Sequence, residues 1–498
     1  MTPDFATFQT LARRGNVIPV YSELLADMET PLAVYARLAD GAYSFLLESV
    51  EGGENLGRYS FIASEPRCVF RSKGMRVTLE EGGVETQYTV PDSPVEELRR
   101  VMSKYTLVAV PGLPRFVGGA VGYMSYDAVQ YFERVPQQNA DDLALPELYF
   151  VLTRSLVVFD HVRHRLLVVA NAHCDGRPLQ AVYDEARATI AAIVKRLAEP
   201  MAAKPLEPID SATLAATDHK QPPSNCTIEQ FTGIVERCKE YIRAGDIIQV
   251  VPSQRFAYAT SAKPFDVYRA VRCINPSPYM FLLEYKGVAL VGSSPEVMVR
   301  VEGGQVEMRP IAGTRRRGLA PEEDAQLEQE LLADEKERAE HAMLVDLGRN
   351  DIGRVCAFGT VCVPELMVVE RYSHVMHIVS DVQGALLPGK DAFDVLAATF
   401  PAGTVSGAPK IRAMQIIEEM ETCRRGPYAG TVCYFGYGGT LDSCITIRTI
   451  VMANGNAYVQ AGAGIVADSV PELEYKETVN KARALIKAIH LAQDFTGK

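Results

Sequence analysis

Residues 279–308 read YMFLLEYKGVALVGSSPEVMVRVEGGQVEM, a run of short apolar segments separated by brief polar turns. Segments of this length that are rich in Val, Leu, Phe and Tyr are typical of β-strands. No helical pattern lies between them, and strands that follow one another directly favour antiparallel sheets over a doubly wound parallel sheet. The stretch therefore predicts an α+β fold built on antiparallel sheets.

Further strand segments extend this pattern in both directions along the chain. Examples are SFIA, VFRS, GGAVGYMSY and LYFVLTRSLVVFD before the stretch and GTVCYFGYGG and CITIRTIVMA after it. Helical apolar spacing is predicted over residues 227–244, 321–347, 408–420 and 471–493. CITIRTIVMA, residues 444–453, reads as one continuous strand.

The composition changes once, at residues 198–226, where Pro, Ala and Ser replace the apolar periodicity. Such a change is typical of a linker. We expect a sheet-rich N-terminal region over residues 1–197, a linker over 198–226 and a mixed region over 227–498 that carries the active site.

Charge and cysteine content limit the possible functions. The 498 residues carry a formal net charge of -11, which argues against a nucleic-acid partner because binding to phosphate backbones requires clustered Lys and Arg. Ten cysteines occur without a C-x-x-C pair, and the opening MTPDFATFQT does not resemble a secretion leader. No apolar run reaches the ~18 residues of a membrane span. These features predict a cytoplasmic protein with free thiols and no membrane association.

Two pairs of glutamates at i,i+3 spacing lie in predicted helices. Glu337 and Glu340 form one pair and Glu474 and Glu477 the other. Each pair alone is most simply a solvated, ion-paired helix face, since Lys336 also lies four residues before Glu340. Two such pairs brought together would repel one another unless a cation lay between them, and an all-oxygen ligand set suits Mg²⁺.

The glycine-rich segment QAGAGIVAD follows a predicted strand and precedes a helix. Gly462, Gly464 and Ala467 match the G-x-G-x-x-A dinucleotide pattern, but too little chain follows to complete a βαβ unit. Two interpretations remain: a tight turn, or a loop whose backbone N–H groups approach an anionic ligand.

Four further side chains are candidates for chemistry, each with a structural alternative. Thr404 precedes a helix start that could receive a carboxylate. Arg448 lies in an apolar segment, where a cation needs a partner, either a structural group or a substrate carboxylate. Glu296 follows a Ser-Ser-Pro turn and could act as a general acid if shielded from water. His377 could be catalytic or, more simply, a half-buried strand histidine.

The motifs taken together resemble those of the chorismate-utilising enzymes. The resemblance rests on GDIIQVVPSQRF, NPSPYMFLL, GSSPE, RPIAGTRRRG, DEKERAEHAMLVDLGRND, RYSHVMHIVS, TFPAGTVSGAPKIRAM, GPYAGTVCYF, ITIRTIV, QAGAGIVADSVPELEYKET and NKA. The N-terminal LLES and GRYSF resemble the regulatory half of the anthranilate synthase catalytic subunit. The resemblance implies a sandwich of antiparallel sheets flanked by helices, with the active site in a cleft of the C-terminal half.

The resemblance also implies a role for each matching residue. Glu340 and Glu477 would bind Mg²⁺ directly, supported through water by Glu337 and Glu474, and the metal would hold the substrate's ring carboxylate. Glu296 would protonate the departing C4 hydroxyl of chorismate, and His377 would assist the later loss of pyruvate. Chorismate would be bound by Gly313, Thr314, Tyr428, Arg448, Gly462, Ala463 and Gly464, together with Thr404 and Lys481.

Two positions distinguish reactions within the family that this chain resembles. Members that use water carry a lysine base where this chain has Gln249, and glutamine cannot deprotonate water. Aminodeoxychorismate synthases carry a nucleophilic lysine where this chain has Ala312. The expected reaction is therefore amination of chorismate to anthranilate in tryptophan biosynthesis, with aminodeoxychorismate synthase component I as the alternative.

The resemblance implies partners as well. The sequence lacks a glutaminase nucleophile elbow, so ammonia would come from glutamine through a separate glutaminase subunit, in an expected heterotetramer of two of each subunit. Ser49 in LLES and the segment Pro278, Tyr279 and Met280 resemble the family's tryptophan pocket, which implies feedback inhibition. Ordinary strand packing is the alternative for these four residues.

Overall fold

The computed structural model describes residues 1–39, 41–49, 57–201, 222–318, 320–372 and 375–496. Most of the linker predicted over 198–226 lies outside the described residues. The α-helices are α1 (Phe5–Leu11), α2 (Pro31–Leu38), α3 (Pro94–Met102), α4 (Leu179–Leu197), α5 (Ile228–Ala244), α6 (Pro264–Ile274), α7 (Pro321–Ala333), α8 (Glu335–Gly353), α9 (Ala392–Thr399), α10 (Lys410–Met420) and α11 (Pro471–Thr496). Short 3₁₀ turns cover Tyr126–Tyr131 and Gly403–Val405.

The strands form two large sheets and one small ribbon. Their bounds are β1 (Val17–Leu25), β2 (Tyr43–Glu48), β3 (Tyr59–Ser64), β4 (Cys68–Lys73), β5 (Arg76–Glu81), β6 (Val84–Thr89), β7 (Gly119–Met124), β8 (Leu148–Leu152), β9 (Ser155–Asp160), β10 (Arg165–His173), β11 (Gln249–Val250), β12 (Ser253–Ala259), β13 (Tyr279–Tyr285), β14 (Val288–Ser294), β15 (Val297–Glu302), β16 (Gln305–Met308), β17 (Ile311–Arg316), β18 (Cys362–Arg371), β19 (Val375–Ala385), β20 (Gly407–Ala408), β21 (Thr431–Gly436), β22 (Leu441–Ile445), β23 (Thr449–Ala453) and β24 (Asn456–Gly462).

Sheet A has ten strands in the order β1-β10-β9-β3-β2-β13-β14-β23-β24-β12. Sheet B has twelve strands: β17-β19-β16-β15-β22-β21-β7-β8-β4-β5-β6, with β18 paired to β19. Neighbouring strands are antiparallel, for example β13 with β14 and β21 with β22. The predicted α+β class with antiparallel sheets is confirmed.

Three large apolar cores lie between the layers of the structure. Phe45 and Phe281 of sheet A and Tyr123 and Val432 of sheet B share a core between the two sheets. The outer face of sheet A packs against helices α1, α2, α4, α6 and α11. The outer face of sheet B packs against helices that include α8 and α9. The protein is therefore a sandwich of sheets flanked by helices, as the sequence predicted.

Both sheets contain strands from each side of the predicted linker. In sheet A, β2 pairs with β13, and in sheet B, β7 pairs with β21. The regions 1–197 and 227–498 therefore share their sheets and their cores. The assignment of regulatory and partner-binding roles to the first region and catalysis to the second stays a prediction.

Local signals account for where the helices begin and end. Helix α5 begins after Thr227, whose hydroxyl accepts from the Gln230 N–H while the Gln230 side chain accepts from the Thr227 N–H, and it ends at Gly245 with φ 84°. The single helix predicted over residues 321–347 is two helices instead. Asp334 ends α7 and caps α8 through its carboxylate, which accepts from the Lys336 and Glu337 N–H groups.

The continuous strand predicted over residues 444–453 is also divided. Strand β22 belongs to sheet B and β23 to sheet A, and the chain passes between the sheets at Thr446–Arg448. Arg448 has φ 49°, in the left-handed region that breaks an extended strand.

Candidate active site

A cavity of about 680 Å³ opens beside the point where the chain passes between the two sheets. Its wall includes these residues predicted from the sequence: Glu296, Gly313, Thr314, Glu337, Glu340, His377, Thr404, Tyr428, Arg448, Gly462, Gly464, Glu474, Glu477 and Lys481. Ala463 is buried outside this wall, and its N–H donates to the Pro252 carbonyl at 3.1 Å. The fold therefore gathers the predicted site residues, apart from Ala463, around one cavity.

Two sheet-to-sheet connections lie side by side and position the side chains of Glu296 and Arg448. Pro295 and Glu296 connect β14 of sheet A to β15 of sheet B, while Thr446–Arg448 connects β22 back to β23. The Ile445 N–H donates to the Glu296 carbonyl at 3.1 Å, and the Ser293 N–H donates to the Arg448 carbonyl at 3.1 Å. These backbone bonds bring the Glu296 and Arg448 side chains to the same cavity although they are far apart in sequence.

The Glu296 carboxyl is held in a shielded position. The Thr404 hydroxyl, on the turn before α10, donates to Glu296 Oε2 at 2.8 Å. Burial raises the pKa of Glu296, while the Thr404 hydrogen bond and the charges of Lys481 and Arg448 oppose the rise. A carboxyl with a raised pKa can remain protonated and act as a general acid.

His377 lies on β19 with its tautomer fixed by a carbonyl. Its Nδ1 lies 3.0 Å from the Gly313 carbonyl, which can only accept, so Nδ1 carries the hydrogen and Nε2 of the neutral ring is an acceptor. The Thr314 hydroxyl lies 3.0 Å from the same nitrogen. Burial lowers the pKa of His377, and the charge of Arg448 adds to the lowering. The ring is therefore held neutral, as a base.

Cations and glycines also line the cavity. Arg448 Nη1 donates to the Lys481 carbonyl at 2.8 Å, and among the described residues its guanidinium forms no ion pair. Burial lowers the pKa of Arg448. A withdrawn cation without a carboxylate partner is suited to an anionic ligand.

Gly462 brings the backbone close to Tyr428. A Cβ on Gly462 would lie 2.8 Å from the Pro252 carbonyl oxygen and 2.9 Å from the Tyr428 hydroxyl. Only glycine therefore fits at this position, and it leaves the Tyr428 hydroxyl at the cavity wall. Burial raises the pKa of Tyr428 to about 12, so the hydroxyl stays protonated and can donate to an anion.

The four predicted metal ligands face the cavity from two helices. Glu337 and Glu340 project from α8, and Glu474 and Glu477 from α11. Burial raises the pKa of Glu337 and of Glu474, and the neighbouring charges of Glu340 and Glu477 respectively add to the rise. An all-carboxylate set with this mutual repulsion fits a hard divalent cation in its chemistry.

Their present arrangement is not a compact ligand group. Within the described part of the chain, no three His, Cys, Asp or Glu side chains gather closely enough to hold a metal ion. Glu337 is paired with Arg315 at 3.3 Å, and Glu477 is paired with Lys481 at 2.6 Å. Basic side chains thus occupy carboxylate oxygens that a metal would need.

The structure shows contacts of two residues, Gln249 and Lys336, that the sequence did not predict. Gln249 Nε2 donates to Glu340 Oε1 at 3.0 Å. Lys336, expected to pair with Glu340 on a solvated face, instead lines the cavity, and its charge opposes the burial that raises the pKa of Glu474 on the other helix. No local sequence signal predicts either contact, because each joins segments far apart along the chain.

A second cavity, of about 400 Å³, is lined by all four residues predicted for the tryptophan pocket. Ser49, Pro278, Tyr279 and Met280 line it together with side chains of both charges, including Arg115, Arg300 and Asp442. The Tyr279 hydroxyl donates to Asp442 at 2.8 Å. Pro278 lines both cavities, so the two are neighbours in the structure.

Within the described residues, no helix is long and apolar enough to cross a membrane. The ten cysteines form no disulfides. Burial raises the pKa of several of them, to about 12 for Cys68 and Cys238, so these thiols behave as packing groups.

Comparison with known proteins places the chain in a family. The family model described as chorismate binding enzyme matches residues 44–487. Anthranilate synthase component 1 of Acetivibrio thermocellus is 49% identical over 494 residues, covering 98% of this chain and 99% of the relative. The protein of the same name from Aquifex aeolicus is 49% identical over 490 residues, covering 97% of each chain.

Solved structures of known proteins are similar to this chain as well. Anthranilate synthase component I from Streptococcus pneumoniae TIGR4 aligns with a TM-score of 0.74 and 37% identity, covering 93% of this chain and 98% of that one. The isochorismate synthase MenF of Escherichia coli shares the fold, with a TM-score of 0.69 at 19% identity over 98% of this chain and 100% of the other. The chain therefore belongs to the chorismate binding enzyme family, in its anthranilate synthase component 1 branch.

Proposed function

We propose that the chain is the catalytic subunit that aminates chorismate in tryptophan biosynthesis. Ammonia adds at C2 of the ring as the C4 hydroxyl leaves as water, and elimination of pyruvate then yields anthranilate. One observation carries the choice of ammonia over other reactions of the family: Gln249 and Ala312 line the same cavity as Glu296 and Arg448, and neither can act as base or nucleophile. Gln249 is, moreover, engaged with Glu340.

Glu296 is the proposed general acid. Hydroxide is a poor leaving group, so the C4 hydroxyl must receive a proton as it departs. The buried carboxyl of Glu296, with its raised pKa, can supply that proton. Thr404 orients the carboxyl by donating to one of its two oxygens, which leaves the other oxygen available to carry the proton.

His377 is the proposed base for the second stage. The C2 carbon bears one hydrogen after amination, and its loss as a proton makes the ring aromatic while the enolpyruvyl group leaves and is protonated to pyruvate. Neutral His377 can accept the C2 proton at Nε2, because Gly313 fixes the hydrogen on Nδ1. The lowered pKa of His377 keeps this nitrogen unprotonated near neutral pH.

The substrate's carboxylates are proposed to bind where cations and N–H donors meet. Arg448, Tyr428 and Lys481 line one part of the wall, beside Gly462 and Gly464. Gly313 and Thr314, which also line the cavity, would contact the substrate through backbone and hydroxyl groups. Arg448 forms no ion pair within the described residues, which leaves its guanidinium free for bidentate binding.

Mg²⁺ is the proposed cofactor, held by Glu340 and Glu477 with Glu337 and Glu474 behind them. When bound, the ion would neutralise the ring carboxylate and draw electron density from the neighbouring C2 carbon. The chain's own contribution is to keep the four carboxylates, carried by two helices, at one cavity.

A glutaminase subunit is proposed to supply ammonia from glutamine. The relatives named component 1 support the existence of a second component. The buried thiols of this chain, with their raised pKa, are not suited to form a glutamyl thioester. A heterotetramer of two of each subunit and a cytoplasmic location complete the proposal.

Tryptophan is the proposed feedback inhibitor, bound in the second cavity. About 400 Å³ is within the range of small-molecule sites. Arg115, Arg300 and Asp442 offer both signs of charge to a zwitterion, and Met280 and Phe281 offer apolar surface. Because Pro278 lines both cavities, a ligand in one can influence the other.

A fluorescence assay tests the catalytic proposal. The purified chain, incubated with chorismate, Mg²⁺ and an ammonium salt, is expected to produce fluorescent anthranilate without any partner. With glutamine in place of ammonium, the chain alone should give no product. The alternative, aminodeoxychorismate synthase, would give 4-amino-4-deoxychorismate and no anthranilate, and that result would refute the proposal.

A further inference from the structure

Lys481 joins the acidic and the glycine-rich parts of the cavity. Its Nζ lies 2.6 Å from Glu477 Oε1, one turn earlier on α11. The same nitrogen donates to the Gly462 carbonyl at 3.0 Å. One ammonium group therefore touches both a proposed metal ligand and the loop proposed to receive the substrate's carboxylate.

The backbone of Lys481 is fixed, but its side chain is not. Arg448 Nη1 donates to the Lys481 carbonyl, which ties the helix to the connection between the sheets. The Lys481 side chain is 36% exposed and that of Glu477 is 46% exposed. An ion pair this exposed is weak and readily exchanged. The ammonium can therefore move while the helix stays in place.

In the described part of the chain, Lys481 is the lysine that pairs with a member of the acidic set. Of the four acidic residues, Glu337 is paired with Arg315, and Glu340 accepts from Gln249. Among the described residues, Lys481 is the one lysine within ion-pair distance of any of the four carboxylates. Burial and the charge of Glu477 raise the pKa of Glu474, and the charges of Lys336 and Lys481 oppose this rise.

We propose that Lys481 is a built-in counter-ion, which a divalent cation displaces from Glu477 and which then binds the substrate's carboxylate beside Gly462. The inference rests on the metal and substrate roles proposed above. A cation and an ammonium repel each other and compete for the same carboxylate oxygen, so the metal must release Lys481 to bind at full strength. The released ammonium stays within reach of the glycine-rich loop, so metal and substrate strengthen each other's binding.

Calorimetric titration of Mg²⁺ into substrate-free protein tests the first half. Lys481→Met removes the competing charge, and Mg²⁺ should then bind about fivefold more tightly, the factor set by the upper range of an exposed ion pair. Lys481→Arg keeps the charge and should bind Mg²⁺ like the parent. Lys476→Met is the matched control: Lys476 is exposed on the same helix and forms no ion pair within the described residues, so its removal should change the affinity by less than about twofold.

Chorismate titration in ammonia-free buffer tests the second half. In the parent, saturating Mg²⁺ should strengthen chorismate binding, and in Lys481→Met this enhancement should be smaller by about fivefold or more. Thermal unfolding followed by circular dichroism shows whether each variant is folded.

The possible outcomes separate the two levels of the proposal. Equal or weaker Mg²⁺ binding by folded Lys481→Met overturns the counter-ion role while leaving the metal site intact. An unchanged enhancement of chorismate binding overturns the transfer of Lys481 to the substrate. Failure of the parent itself to bind Mg²⁺ would overturn the proposed metal site and this inference with it.

Discussion

At the scale of single residues, the proposed acid catalysis depends on how Glu296 keeps its proton. Burial raises its pKa, while Thr404, Lys481 and Arg448 oppose the rise. The active form of a general acid is the protonated one, so activity is retained below the pKa and lost as the pH rises through it. The environment of Glu296 therefore moves the alkaline limit of activity upward from that of an ordinary glutamate.

Substitutions at Thr404 and Glu296 test this balance. Thr404→Val removes a hydrogen bond that lowers the pKa of Glu296, so the alkaline limb of the pH profile should move to higher pH. Thr404→Ser keeps the hydroxyl and should leave the limb in place. Glu296→Gln should lower kcat by about 10² to 10⁴, and its pH profile should lack the alkaline limb that Glu296 produces. The measurement is kcat against pH at constant free ammonia, and a limb unmoved by Thr404→Val would contradict the argument.

At the scale of elements, the site is produced by two connections between sheets. The strand β14 and the range of helix α5 were readable from apolar patterns. The break at Arg448 was not, because the residues on both sides are β-branched or apolar and continue the strand pattern. Only the pairing of β22 with sheet B and β23 with sheet A shows where the chain turns.

The sequence predicted which residues line the cavity better than it predicted the contacts between them. Motif resemblance identified Glu296, Arg448 and the acidic pairs, and the fold gathers them at one cavity. Helical spacing allows the i,i+4 ion pair of Glu477 with Lys481, but it could not show that Glu340 accepts from Gln249. The contact between Gln249 and Glu340 joins β11 to α8, which are distant in sequence, so it arises only when the chain folds.

Replacing Gly464 or Gly233 with alanine should have different effects, because the two glycines have different surroundings. A Cβ on Gly464 would lie 2.8 Å from Gln249 Nε2, so Gly464→Ala should displace Gln249 from Glu340 and raise KM for chorismate by about three- to tenfold. Gly233 is exposed within α5 and has no atom near its missing Cβ, so Gly233→Ala should stabilise the protein by about 0.5–1 kcal/mol. Steady-state kinetics and urea unfolding measure the two effects. An unchanged KM in Gly464→Ala would contradict the proposed contact.

At the scale of the whole molecule, the shared sheets predict cooperative unfolding. The pairings β2 with β13 and β7 with β21 join the regions on either side of the linker. Neither region can lose its strands without exposing the core of the other. Thermal unfolding followed by far-ultraviolet circular dichroism and by tyrosine fluorescence should therefore give coincident transitions. Two separated transitions would show that residues 1–197 and 227–498 unfold as independent units.

The second cavity tests communication across the molecule. Ser49 comes from the N-terminal region and Pro278 from the C-terminal region, and both line this cavity. Ser49→Phe should fill the cavity and abolish inhibition by tryptophan while leaving uninhibited kcat within about twofold, because Ser49 does not line the larger cavity. Rate measurements over a range of tryptophan concentrations make the comparison. Equal inhibition of parent and variant would contradict the location of the tryptophan site.

Product analysis with ¹⁵N-labelled ammonium tests the central claim most directly. The chain is incubated with chorismate, Mg²⁺ and the labelled salt, and the products are identified and counted by mass spectrometry. The account predicts one ¹⁵N-anthranilate and one pyruvate for each chorismate consumed. Labelled 4-amino-4-deoxychorismate without pyruvate, or an unlabelled hydroxylated product, would contradict it.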